Sequence, residues 1–241
     1  MKTIAKKGKE NGAWGRSRVS WKSALFAVLI VPAGSELAAQ TEGSGAASVS
    51  AGKSPWFVEA SVGLSFIPGG DILIDGVSYE AEYDNGQLFR GAVGRRLGRN
   101  WTTALEWYYR TNDAESFVSD SAVIGGGDLA STNLFLGLTY TVDERFNLLG
   151  FRPSLGFGVG LMQEVNLDLE GFGNEDFSDN WTFGWQWSVA VGRPIGRAGW
   201  LYVEGRAISG GEVDLESSTQ DRAVTFDYDA WALLAGFRWS F

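Results

Sequence analysis

Apolar and polar residues alternate with a period of two over much of the chain from Trp56 to Phe241. In WFVEASVGLSF (56–66), Trp56, Val58, Ala60, Val62, Leu64 and Phe66 share one face. Glu59, Ser61, Gly63 and Ser65 share the other, with Phe57 as the exception. Such alternation marks a strand with two unlike faces. It returns at WTTALEWYYR (101–110), ASTNLFLGLTYTV (130–142), SLGFGVGLM (154–162), WTFGWQWSVAVG (181–192) and from Trp231 to Phe241. Two weaker runs, QLFRGAVGRRL (87–97) and WLYVEGRAI (200–208), bring the predicted strands to eight. The fold class that follows is all-β.

The composition of the two faces decides which solvent each meets. A soluble sandwich puts Leu, Ile and Val on the shared inner face and leaves few Trp outside. Here the apolar face is rich in Trp, and the other face carries Gly, Ser, Thr and scattered charge. The inverted arrangement, apolar side out and small polar side in, is that of a transmembrane barrel, whose strands need ~9–11 residues. Connector lengths agree in part. Long segments follow Phe66, occupy 111–127 and 209–224, and alternate with short ones at 98–100 and 193–199, whereas 143–153 is longer than a tight turn. The expectation is an eight-stranded antiparallel up-and-down transmembrane β-barrel over 56–241, with four acidic, Gly-rich loops on one side. Placing both chain ends at the short-turn side predicts one aromatic girdle of Trp56, Trp101, Trp200, Trp239 and Phe241, and a second of Phe66, Tyr109, Trp181, Phe183 and Phe226.

The segment before Trp56 is of a different kind. Residues 1–39 carry seven basic residues and two acids ahead of the apolar stretch ALFAVLIVPA (24–33). Ten apolar residues are too few for a membrane-spanning helix, which needs ~20. After a basic region and before small residues they match a cleaved secretory signal, with cleavage expected after Ala39. Residues 40–55, rich in Gly, Ser and Ala, read as a flexible periplasmic lead-in. Without 1–39 the remaining 202 residues carry a net charge of −14. That balance argues against a nucleic-acid partner relying on a basic face. The chain contains no Cys and no His. Disulfides, thiolate and imidazole metal sites, Cys nucleophiles and Ser-His-Asp triads are therefore all excluded.

With these residues in view, 56–241 resembles the small outer-membrane β-barrels of Gram-negative bacteria, the OmpA/OmpX/opacity-protein superfamily. Terminal Phe241, with Trp239, Phe237 and Leu233 at alternate positions, resembles the signal by which the barrel assembly machinery recognises such chains. The resemblance implies an outer-membrane location, contact with outer-membrane lipid and lipopolysaccharide, and a monomer.

An eight-stranded barrel has room inside for side chains and little else. The inward charges expected are Glu59, Arg90, Arg96, Glu106, Arg110, Glu204, Arg206 and Arg238. Buried charges of both signs persist when paired, so a neutralising polar network is the reading, with a narrow ion path along the same residues as its sharper alternative. Alternating Gly156, Gly158 and Gly160 read as spacers in a crowded interior. The lipid A-modifying barrels of similar size rely on a catalytic His that is missing here, so no catalytic residue, cofactor or metal is assigned. The acidic stretch DLEGFGNEDFSDN (168–180) lacks EF-hand spacing and reads as solvated. The expected function is structural or surface-interacting, with an unidentified loop partner. The alternatives are a narrow channel or transporter of the OmpW kind and a soluble secreted barrel for an apolar ligand.

Overall fold

The computed structural model describes residues 55–119, 122–146, 149–169, 175–179, 181–217 and 220–241. The predicted export segment 1–39 and the lead-in up to residue 54 lie outside them. Eleven strands are present among the described residues: β1 Trp56–Phe66, β2 Gly70–Ile74, β3 Val77–Tyr83, β4 Gly86–Arg96, β5 Trp101–Val118, β6 Val123–Thr141, β7 Arg152–Leu169, β8 Glu175–Asp179, β9 Thr182–Ile195, β10 Gly199–Ser217 and β11 Ala223–Ser240.

Their antiparallel pairings close two stacked rings. In the lower ring β1 pairs with β4, then β5, β6, β7, β9, β10 and β11 follow, and β11 pairs back to β1. This is the eight-stranded antiparallel barrel expected from the alternation, and closure leaves no unpaired edge. In the upper ring the long strands β5, β6, β7, β10 and β11 continue. There β2 and β3 take the places of β1 and β4, and β8 takes the place of β9.

The expected long loops are therefore corrected. Much of 67–86, 111–127 and 209–224 is strand, and the 18 and 19 residues of β5 and β10 extend well beyond the predicted runs. The β2–β3 hairpin turns at Asp75-Gly76, with φ of 52° and 78°. Two successive positive φ values define the type I′ turn, for which Asp-Gly is a favoured pair. Asn112 seals the exchange of strands between the rings. Its side chain accepts from Ser65 Oγ at 2.8 Å and donates to the carbonyls of Asp84 and Ser65 at 2.9 and 3.2 Å.

The two rings have opposite polarity. The lower wall presents Val62, Leu64, Leu105, Leu136, Phe157, Val189 and Leu233 to the outside, with Leu136 58% and Phe157 56% exposed. Inside it stand charged and hydroxyl side chains. The upper wall presents Glu80, Asp113, Asp128, Glu212, Asp214 and Asp227 outward. Its interior is an apolar core built on Ile72, Ile74, Phe117, Leu129, Leu167, Phe177, Leu215, Val224 and Phe226. Strand β11 shows the inversion without a bulge of its own. Its even positions point inward throughout, apolar from Val224 to Ala230 above, and its outward odd positions change from Thr225, Asp227 and Asp229 to Trp231, Leu233 and Phe237 below.

Candidate functional site

The lower interior is organised around Glu106 on β5. Its Oε1 meets Arg90 Nη2 at 3.1 Å. Its Oε2 meets Arg206 Nη1 at 2.8 Å and accepts from Gln186 Nε2 at 2.9 Å and from the Tyr108 hydroxyl. Arg90 continues to Glu59 at 2.7 Å and donates to the Tyr202 hydroxyl at 2.8 Å. Arg206 continues to Glu204 at 2.6 Å, and Arg238 closes the chain on Glu59 while its guanidinium lies 4.4 Å from the Phe57 ring centroid. Three carboxylates and three guanidiniums thus neutralise one another across β1, β4, β5, β10 and β11.

Glycines leave the room that these side chains occupy. A Cβ on Gly137 would stand 2.5 Å from Glu106 Oε1, and one on Gly158 would stand 2.7 Å from Gln186 Nε2. The Tyr108 ring stacks edge-on against Phe135, with centroids 5.8 Å apart. The charged layer therefore passes directly into the apolar core above.

Six of the eight predicted interior charges come together: Glu59, Arg90, Glu106, Glu204, Arg206 and Arg238. The other two stand apart. Arg96 lies at the short-turn end and donates to Ser240 Oγ at 2.8 Å. Arg110 lies above the network and donates to the Tyr228 hydroxyl at 3.2 Å. Tyr108, Tyr202 and Gln186 belong to the network and were not assigned from the sequence, although each shares the inward parity of its strand's charges or glycines.

The aromatic expectation is corrected at two positions. Phe226 is 7% exposed and belongs to the upper core, because its even number places it with Val224 and Tyr228 on the inner face of β11. Trp200 has the parity of Tyr202 and Glu204, so its half-buried indole lies within the lower mouth, where Arg152 stacks on it at 5.7 Å. Trp56, Trp101, Trp239 and Phe241 are exposed at the lower border, where Trp101 packs on Tyr140 with centroids 5.0 Å apart and Arg95 lies over Trp56. Trp181 and Phe183 are exposed outside β9, and Phe66 and Tyr109 are half-buried.

Charge divides the two ends. Arg95, Arg96, Arg99, Arg145, Arg152, Arg193 and Arg197 lie at the short-turn end, where Asp143 and Glu144 are the acids among the described residues. The backbone N–H of Arg145, donating to Asp143 Oδ1 at 3.1 Å, holds that carboxyl below its usual value. The upper outer wall is predominantly acidic. Its carboxylates crowd one another: Asp84 beside Glu115 raises the Glu115 carboxyl above the usual range.

A closed eight-stranded antiparallel wall, apolar outside and ionic inside over one half of its length, is the architecture of small outer-membrane barrels. Solved structures bear this out. The chain is similar to Neisserial surface protein A, at 18% identity over 79% of this chain and 99% of that one, with a TM-score of 0.52. It is also similar to the outer membrane protein OprG from Pseudomonas aeruginosa, at 15% identity over 78% of this chain and 97% of that one, with a TM-score of 0.58. At these identities the likeness is one of fold. No protein-family model matches the sequence, and no curated protein matches it.

Proposed function

We propose that the chain is a non-enzymatic outer-membrane protein whose lower ring spans the bilayer and whose upper ring stands in water outside the cell. It serves envelope integrity or surface contact. The observation that carries this reading is the inversion of polarity along β11 and the rest of the wall. An outward belt containing Leu64, Leu136, Phe157, Val189 and Leu233 far exceeds the few hundred Å² of apolar patch that soluble monomers expose. The ten residue steps from Trp56 to Phe66 cover ~33 Å of strand, or roughly 25 Å of height at a tilt of about 40°, the thickness of such a belt. Above the belt the wall returns to apolar-in and acidic-out, the polarity that water imposes.

The filling of both rings, by ion pairs below and an apolar core above, supports a plug rather than the alternative of a narrow channel. A soluble ligand-binding barrel would have an apolar interior throughout; the upper ring has one, whereas in the lower ring ion pairs dominate beside a small apolar cluster of Phe57, Ala92 and Ala104. The engagement of Glu59, Glu106 and Glu204 with arginines weighs against their use as catalytic acids or bases. Two of the partners implied by the reading are outer-membrane lipid around the belt and the barrel assembly machinery during biogenesis. Leu233, Phe237, Trp239 and Phe241 offer the latter a single outward row. The test is to fold the protein in detergent and compare boiled with unboiled samples by gel mobility. The expected result is a mobility shift on boiling, with β-rich circular dichroism that requires detergent. A chain that stays soluble and monomeric without detergent overturns the reading.

A further inference from the structure

The geometry points to a small monovalent anion, of the size of chloride or formate, bound inside the barrel on Arg110. Arg110 is 1% exposed. It stands four residues above Glu106 on β5, ~14 Å along the strand. The carboxylates below it are already engaged: Glu59 by Arg90 and Arg238, Glu106 by Arg90 and Arg206, Glu204 by Arg206. Arg110 is the fourth cation against three acids, so the described interior is left with a surplus positive charge. A lysine could shed its proton in such a place; a guanidinium does not. An unpaired buried charge is strongly unfavourable. Water would satisfy its hydrogen bonds and leave the charge uncompensated.

The hydrogen bonding at Arg110 is also one-sided. Nη1 donates to the Tyr228 hydroxyl at 3.2 Å, while Nε and Nη2 are buried with no partner. Those two nitrogens share one edge of the planar group, and their parallel N–H bonds form the fork that grips a small anion. Ser131 faces Arg110 across the β5–β6 pairing, with its Oγ 2.7 Å from the Tyr228 oxygen and 3.4 Å from Asn133 Nδ2, which donates to it. Whichever hydroxyl of the Ser131–Tyr228 pair donates to the other, one O–H is left over. Asn133 Oδ1 is a buried acceptor of the same group without a partner, so one free acceptor stands against Nε, Nη2 and the spare O–H, and an anion supplies the further acceptor and the missing charge.

The test uses the protein folded in detergent and does not depend on whether the barrel crosses a membrane. Urea unfolding is followed in chloride, in formate, and in gluconate, a much bulkier monovalent anion, at equal ionic strength. The unfolding midpoint is expected to be higher in chloride or formate, with a gain that grows logarithmically with anion concentration as for a ligand of the folded state. Arg110→Met removes the surplus charge and should abolish the difference. Arg110→Lys keeps the charge without the fork and should need more anion for the same gain. Crystals soaked in bromide should show an anomalous peak beside Arg110 Nε and Nη2, a readout that stands even if the variants do not fold. Equal midpoints in all three salts without a bromide peak overturn the proposal, as does an anion dependence that Arg110→Met leaves intact.

Discussion

Glu106 is held by Arg90, Arg206, Gln186 and Tyr108 at once, so its removal is an informative single change. Glu106→Ala leaves Arg90 and Arg206 facing each other across the space it filled. Loss of one partner of a buried pair costs about 3–5 kcal/mol, and urea unfolding in detergent should show a destabilisation of that order. The glycines beside the network make a finer test. Gly137→Ala brings a methyl against Oε1 of Glu106, a carboxylate that Arg90 holds through Oε1 and Arg206 through Oε2. Overpacking of this kind costs about 1–3 kcal/mol. Gly91→Ala meets nothing within 4 Å. It should be neutral or stabilising by about 0.5–1 kcal/mol, since alanine loses less backbone freedom. Matched unfolding curves for the two variants check the contrast. At this scale the candidate site was legible as far as parity reaches. Alternation identified Glu59, Arg90, Glu106, Glu204, Arg206 and Arg238 as inward. It was silent on Arg110 standing apart, because period two fixes the side of the wall and not the height at which a partner waits.

Strand β10 shows why the elements were predicted too short. Its alternation stops being regular after Ile208 because a bulge between Ser209 and Gly211 shifts the register against β11. The inward positions change there from the even-numbered Glu204, Arg206 and Ile208 to the odd-numbered Val213 and Leu215. A bulge inserts one residue and reverses the phase of all that follow, so the regular sequence pattern ends where the strand continues. The same happens on β6–β7 beside Thr132 and Asn133, where the predicted run stopped at Met162. On β11 no bulge intervenes. The apolar residues change parity at Ala230–Trp231 because the surroundings change, and Phe226 was misassigned for that reason. Asp-Gly at 75–76 between alternating residues was the available signal for the β2–β3 hairpin.

The upper strands also place Asp113 opposite Asp128, Asp128 opposite Asp168 and Asp168 opposite Asp176. Like charges in directly opposed positions repel. Partial burial, with Asp176 and Asp128 nearby, raises the Asp168 carboxyl above its usual value. A carboxyl raised in the folded state binds its proton more tightly there than in the unfolded chain, so it opposes folding above its folded pKa and ceases to as pH falls through it. Asp168→Asn should therefore be more stable than the parent at pH 7. The difference should vanish by ~pH 3, below the usual carboxylate pKa of about 4. Unfolding at the two pH values measures it.

For the molecule as a whole, the two rings act as one continuous wall filled in two different ways. Planar-bilayer recordings should show no steady open conductance, since a solute entering the ionic layer would meet the apolar core next; sustained channels would revive the transporter alternative. The sequence alone determined the all-β class, the eight strands of the lower barrel, the outward belt and the inward charges. Each is a matter of which side of a strand a residue occupies, and side is written in the chain at a spacing of two. Only the tertiary structure decided that a second ring stands on the first, that Trp200 and Phe226 face inward, and that Arg110 is parted from the carboxylates. These depend on register between distant strands and on height along a common axis, which bulges and strand exchange set and no local period records.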